Sequence, residues 1–210
     1  MSDYKEEYDQ WVKDGAIVSK RSVPEEVKWH LILHYAKRFN LDTLVETGTA
    51  VADTLVHVGH AFKNIYSFEL MESYWSVAKQ NLEEAQIEAE VFNESSVSQT
   101  FINLVKNLEG PALFYLDAHY SGEGTGSDSS LPTPHVPVRQ ELKIITTHSY
   151  YNDRNIIIVD DARCFKGQEF HSDEYDGYPS MEELQDIVSE THIVYHQADA
   201  FVLRSKETIS

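Results

Sequence analysis

The sequence predicts an α/β domain built on a seven-stranded, mostly parallel sheet that ends in an antiparallel hairpin, with helices on both faces. Three observations predict it. From residue 42 onward short apolar runs alternate with amphipathic helical patterns, and strand-helix repetition of this kind produces a parallel sheet. Ile156 to Val159 is apolar on both faces, as a strand in the middle of such a sheet has to be. Near the end, only Gln197, Ala198 and Asp199 separate the strand-like runs His192 to His196 and Ala200 to Arg204. That connection is too short for a crossover helix, so the last two strands pair as a hairpin.

In chain order, residues 1 to 20 carry no clear period and read as a polar arm with one short helix around Tyr4 to Val12. A cleaner helix follows. Ser22 and Glu25 have capping-box spacing, Pro24 falls in the first turn, and Val27, Leu31, Ile32 and Tyr35 mark one apolar stripe. Residues 1–40 are thus expected as an N-terminal arm and helix packing on a core domain of residues 41–210. Within that domain the expected strands are Thr43 to Glu46, Asn64 to Leu70, Glu88 to Phe92, Ala112 to Asp117 and Asn155 to Asp160, followed by the hairpin. The intervening helices show apolar stripes such as Tyr74, Val77, Ala78 and Leu82, or Phe101, Leu104, Val105 and Leu108, and a last helix covers Ser180 to Val188. Ser121 to Pro137 is rich in Gly, Ser and Pro and lacks a period. It is either a lid over a site or a surface excursion.

A chain of 210 residues supports one substantial core. The hydrophobic fraction of 41% and charged fraction of 25% belong to an ordinary globular protein, and no apolar run is long enough to span a bilayer. The polar start Met-Ser-Asp-Tyr-Lys-Glu-Glu is no signal peptide, so a cytoplasmic protein without membrane partners is expected. The single cysteine, Cys164, agrees with a reducing compartment and reads as a small buried hydrophobe. A formal net charge of −18 argues against nucleic acid as a partner. A small-molecule substrate or a cation suits that charge better.

The chemistry gathers at strand ends. Asp117 closes Ala-Leu-Phe-Tyr-Leu-Asp-Ala-His-Tyr, and Asp160 with Asp161 closes Asn-Ile-Ile-Ile-Val-Asp-Asp-Ala-Arg. The carboxyl ends of neighbouring parallel strands open onto one crevice. Carboxylates crowded there call for a cation, and hard oxygen donors suit Mg²⁺ or Ca²⁺. The first strand ends Val-Glu-Thr-Gly-Thr-Ala-Val-Ala-Asp, and Glu69 closes the second strand 21 positions after Gly48, where an acid is placed to accept ribose hydroxyls. No second glycine follows Gly48, which disfavours a pyrophosphate. S-adenosylmethionine, a nucleoside with a sulfonium that Glu46 would welcome, meets both conditions. Asn93, Glu94 and Ser95 end the third strand where an adenine edge would be held.

Over roughly residues 40 to 205 the chain resembles the class I S-adenosylmethionine-dependent methyltransferases, whose fold is Rossmann-like. The resemblance implies Glu46, Thr47, Gly48 and Thr49 at the methionine end of the cofactor, Glu69 at the ribose, and Glu94 with Ser95 at adenine. Leu-Asp-Ala-His-Tyr followed by Val-Asp-Asp-Ala-Arg resembles the metal-dependent O-methyltransferases of the catechol and macrolide-sugar type. By that likeness Asp117, Asp160 and Asp161 hold Mg²⁺ next to the cofactor, and the N-terminal arm could pack against a second subunit in a homodimer. The chain departs from the family in the missing second and third glycines of the first motif and in Asn93-Glu94, where Gly-Asp is commoner.

The implied reaction is methyl transfer to a small hydroxylated acceptor, whose oxygen must be held about 3 Å from the methyl and made nucleophilic. A chelated metal would do both. His119 is the first candidate for a general base, with Tyr120 and His148 behind it, because imidazole titrates near neutrality. Arg163 reads first as a neutraliser of the acidic cluster and second as a holder of an anionic substrate. The acidic, aromatic stretch 170–179 is either a substrate wall or a solvated loop. A metal-independent methyltransferase and a catalytically silent binding module are the rival readings.

Overall fold

The computed structural model describes residues 23–119, 136–147, 152–167 and 177–206. The expectations for Tyr4 to Val12, Ser22, Tyr120, His148, most of the loop 121–137 and most of the stretch 170–179 fall outside those residues.

The chain forms one seven-stranded sheet in the order β3-β2-β1-β4-β5-β7-β6. Its strands are β1 (Thr43–Thr47), β2 (Asn64–Phe68), β3 (Glu90–Phe92), β4 (Ala112–Leu116), β5 (Ile156–Val159), β6 (His192–Gln197) and β7 (Ala200–Ser205). The first five run parallel, and β7 is antiparallel to both β5 and β6. The hairpin turn is tighter than expected. Ala198 (φ 47°) and Asp199 (φ 58°) both sit in the left-handed region between β6 and β7, as a two-residue type I′ turn requires. The strand order reverses between β1 and β4, and a sheet wound this way opens its crevice there.

Among the described residues six helices cover the sheet: α1 (Glu25–Phe39), α2 (Asp53–Val58), α3 (Glu72–Glu84), α4 (Gln99–Asn107), α5 (Val138–Ile145) and α6 (Met181–Val188). They divide the core into two layers. On one face Val27, Leu31 and Ile32 of α1 pack with Leu44, Leu113 and Ile158 of the strands. On the other, Phe101, Leu142 and Leu184 from α4, α5 and α6 pack with Val45, Phe114 and Ile157. Strand alternation explains the division, since neighbouring residues on a strand face opposite layers.

Three local expectations change. Helix α1 starts at Glu25 with Pro24 as its N-cap, and Pro24 offers no side-chain cap. The helical ladder begins when the Val27 N–H donates to the Pro24 carbonyl. On α3 the buried residues are Ala78 and Leu82, whereas Val77 is 42% exposed, one position off the face that meets the sheet. Helix α6 begins one residue late, with Ser180 as the cap of a capping box closed by Glu183.

Candidate functional site

Backbone hydrogen bonds carry the parallel ladder past the strand ends and align the residues that follow. Gly48 N–H donates to Phe68 O (2.9 Å), Glu69 N–H to Phe92 O (2.9 Å), Asp117 N–H to Thr47 O (3.0 Å) and Asp160 N–H to Leu116 O (3.0 Å). Gly48 (φ 85°) is where the turn after β1 passes closest to β4. A Cβ there would lie 2.5 Å from the Asp117 carbonyl oxygen, inside contact distance. The turn then keeps the left-handed backbone without further glycine, because Ala50 (φ 45°) and Ala52 (φ 69°) both adopt it. The glycines missing from the sequence are therefore missing as residues but present as conformations, at a cost of about 1–2 kcal/mol for each alanine.

This turn is tied to its surroundings by polar contacts. Glu46, 2% exposed, accepts a hydrogen bond from Ser67 Oγ (2.6 Å), and Thr49 Oγ1 lies 2.6 Å from the same hydroxyl. Burial, opposed by the Ser67 hydrogen bond and aided by Asp117 and Glu69, pushes the Glu46 carboxyl up to about 8. Glu69 uses Oε2 to accept Ala50 N–H (2.8 Å) and Oε1 to accept Met71 N–H (2.8 Å), so it braces the turn as well as facing the crevice. The Leu70 N–H adds a further backbone hydrogen bond to the same carboxylate. Asn93 donates to the carbonyls of Glu69 (2.9 Å) and Leu70 (3.2 Å) and so staples the ends of β2 and β3. Glu94 is exposed, and Ser95 Oγ accepts Val97 N–H at 3.3 Å.

The acidic half divides in a way the sequence does not reveal. Asp117, His119 and Asp161 converge: His119 Nδ1 is 3.2 Å from Asp117 Oδ1, and Nε2 is 2.9 Å from Asp161 Oδ2. One potential ligand atom from each of the three lies within 4.8 Å of the others. Asp160 does not join them. Its Oδ2 accepts from Lys28 Nζ (2.7 Å) and from the Tyr115 hydroxyl (2.7 Å), and its Oδ1 accepts the Asp161 N–H (2.8 Å). Lys28 (7% exposed) and Asp160 (2%) form a buried ion pair that reaches from α1 to the end of β5. Of the expected trio, Asp117 and Asp161 come together with His119. The Asp160 carboxylate is turned instead to Lys28 and Tyr115.

Asp161 sits in the left-handed region (φ 56°) at the start of a 3-10 turn, Ala162–Cys164, a conformation that aspartate tolerates. Its Oδ1 is 2.5 Å from Arg163 Nη1, which also pairs with Asp199 Oδ2 from the β6–β7 turn. Asp199 in addition accepts the Arg163 N–H through Oδ1 (2.9 Å) and, through its carbonyl, the Ala162 N–H (2.7 Å). Arg163 is the neutraliser the sequence suggested. Cys164, 1% exposed, has its thiol pushed up to about 12 by burial and by Asp161, so it is an inert part of the core.

These charges set the protonation of the site. Burial pulls the His119 imidazole down, but its hydrogen bonds and ion pairs with Asp117 and Asp161 outweigh burial and lift it to about 10. The two carboxylates beside it differ. Burial raises Asp161 but is overcome by His119, Lys28 and Arg163, which hold it below the usual carboxylate range. Burial and the charge of Asp160 raise Asp117 against His119 and Lys28. Without a bound cation, His119 is therefore an imidazolium held between two acids and not a free base at neutral pH.

Lys28, Tyr115, Ser67 and Asp199 were not singled out from the sequence. Only Ser67 carries a usable signal, a hydroxyl directly across the β1–β2 ladder from Glu46.

No family model and no curated protein matches the chain. Solved structures share its fold. The S-adenosylhomocysteine-bound methyltransferase PaMTH1 of Podospora anserina is 13% identical with a TM-score of 0.61, covering 98% of this chain and 89% of its own. An O-methyltransferase of Bacillus cereus, in complex with S-adenosylhomocysteine, is 13% identical with a TM-score of 0.54, covering 97% and 90%. A Clostridium thermocellum protein described as an rRNA methylase is 14% identical with a TM-score of 0.55, covering 83% and 94%. The chain has the fold of the class I S-adenosylmethionine-dependent methyltransferases.

Proposed function

We propose, proceeding from that fold, that the chain is an S-adenosylmethionine-dependent methyltransferase acting on an oxygen of a small hydroxylated acceptor with the help of a divalent cation. What carries the proposal is the juxtaposition at the strand-order reversal: the Gly48 turn, which Glu46 precedes and Glu69 braces, runs so close to the backbone of Asp117 that a Cβ on Gly48 would clash with it, and the Asp117 side chain begins the Asp117–His119–Asp161 cluster. A cofactor site and an acceptor site share one residue. The O-methyltransferase among the structures of like fold agrees with an oxygen acceptor.

Each residue has a role derived from its contacts. Glu69 holds ribose hydroxyls while its remaining hydrogen bonds fix the turn. Glu46, supported by Ser67, offers a carboxyl to the positive end of the cofactor. Asp117, His119 and Asp161 would hold the cation, which when bound supplies the Lewis acidity that lowers the pKa of an acceptor hydroxyl. The donor set fits a dication by charge, since Lys28 offsets Asp160 and Arg163 offsets Asp199. Two carboxylates, those of Asp117 and Asp161, remain. His119 gives up its second proton to serve as a ligand, so cation binding and imidazole ionisation are coupled.

Calorimetry with S-adenosylhomocysteine tests the first half of the proposal, and methyl transfer from labelled S-adenosylmethionine to a panel of catechols and sugars, with and without EDTA, tests the second. Micromolar cofactor binding and EDTA-sensitive turnover are expected. No cofactor binding would reject the assignment, and EDTA-resistant turnover would reject the cation.

A further inference from the structure

Resting on the proposed cofactor half of the site, we infer that Glu141 is a positioning residue for S-adenosylmethionine: its hydrogen bonds to Thr47 and Ser96 close when the cofactor draws the β1 turn and the stretch after β3 onto α5. The inference starts from a carboxyl on an apolar face. Helix α5 buries Val138, Glu141, Leu142 and Ile145, so an acid takes one position of an otherwise hydrophobic stripe, where it is only 1% exposed. Buried acids are normally paired or fully hydrogen-bonded. Among the described residues, however, Glu141 Oε1 and Thr47 Oγ1 are both buried without a hydrogen-bond partner.

The two orphaned atoms are neighbours. Burial pushes the Glu141 carboxyl up to about 7, the hydroxyls of Ser96 and Thr47 oppose the rise, and the charge of Asp117 adds to it. Those hydroxyls are thus within electrostatic reach of the carboxyl, yet neither meets Oε1 with the geometry of a hydrogen bond. Their places in the chain give the cluster its meaning. Thr47 is the last residue of β1 and immediately precedes Gly48, while Ser96, 5% exposed, lies between Ser95 and the Ser98 cap of α4. One carboxyl therefore faces both segments expected to hold the cofactor. Glu141 and Thr47 are too deeply buried to touch the cofactor themselves, so they act through the backbone of the turn and of the stretch after β3. Unsatisfied polar atoms in a core cost stability, and a local conflict of this kind inside an otherwise consistent core marks a functional position.

The experiment uses the full chain and reads S-adenosylhomocysteine affinity by calorimetry beside the melting temperature measured without added cofactor. Glu141→Met, which completes the apolar stripe, is expected to melt at the wild-type temperature or above and to bind S-adenosylhomocysteine about 10-fold more weakly, the equivalent of one lost hydrogen bond. Glu141→Gln keeps the shape and hydrogen-bonding reach of the side chain and should recover most of that affinity. A residue that served packing alone would give the opposite pattern, a lower melting temperature at unchanged affinity. Thr47→Val removes the other orphaned atom at constant shape and repeats the test if Glu141→Met does not fold. Unchanged affinity, weaker binding accompanied by a lower melting temperature, no recovery in Glu141→Gln, or failure of both Glu141→Met and Thr47→Val to fold would overturn the inference. Wild-type protein that binds no S-adenosylhomocysteine would overturn the proposed function and the inference with it.

Discussion

Replacing Lys28 by Met removes an ammonium that is 7% exposed and 2.7 Å from Asp160, itself 2% exposed. The methionine keeps an unbranched apolar stem at this position of α1 and takes away the charge. Asp160 then keeps the Tyr115 hydroxyl and the Asp161 N–H but loses its counter-charge in the core. Removing one partner of a buried pair costs about 3–5 kcal/mol, and the two surviving hydrogen bonds put the expected loss near the lower end, about 3 kcal/mol. Urea denaturation followed by circular dichroism measures it as a lower midpoint at unchanged slope. The double variant Lys28→Met with Asp160→Asn separates the causes. If the penalty is an uncompensated carboxylate, the double variant recovers most of the loss, since a neutral amide replaces the charge. A single-variant cost under about 1 kcal/mol, or a double variant no better than the single one, would refute the reasoning.

Gly48→Ala should lower S-adenosylhomocysteine affinity at least about 10-fold and destabilise the protein by more than about 1 kcal/mol, because its Cβ would meet the Asp117 carbonyl at 2.5 Å in a left-handed backbone; calorimetry showing unchanged affinity contradicts this. Ala50→Gly, at an exposed position with φ 45°, should leave stability equal or raise it by up to about 1 kcal/mol, and a lower melting temperature would count against the strain assigned to the turn. In the metal-free protein His119 titrates near 10 instead of 6.5, so the native state holds more protons than the unfolded one between those values. The stability it contributes is complete below about pH 6.5 and declines as pH rises toward 10. The difference in unfolding free energy between wild type and His119→Gln should therefore shrink over that window, and a constant difference would show that the imidazolium is not paired as described.

Much of the architecture is written in local pattern. The doubly apolar Ile156–Val159 stretch and the short link before Ala200 specify a central parallel strand and a final hairpin, and both appear with bounds shifted by a residue or two. The strand-end acids are equally legible, because a carboxylate closing a buried run has few places to go. What pattern cannot supply is the partner of each charge. Lys28 sits in an otherwise amphipathic helix and reads as a solvated cation, yet it meets Asp160, which lies far along the chain. That contact decides which acids remain for a ligand. Ala50 and Ala52 show the opposite limitation, since a search for glycines finds none where the backbone nevertheless bends as glycine would. The surrounding hydrogen bonds, Ala50 to Glu69 among them, enforce the bend in place of residue preference.

Asp199 sits in the turn of the terminal hairpin and completes the support of Arg163, while Lys28 comes from the first described helix. During synthesis the acidic turn after β5 leaves the ribosome well before the residue that steadies it. A nascent chain halted between Arg163 and Asp199 would carry its crevice in a half-built form, with the guanidinium lacking one of its anions. Arg163 in the acidic turn therefore gains its second counter-charge only when β7 pairs with β5.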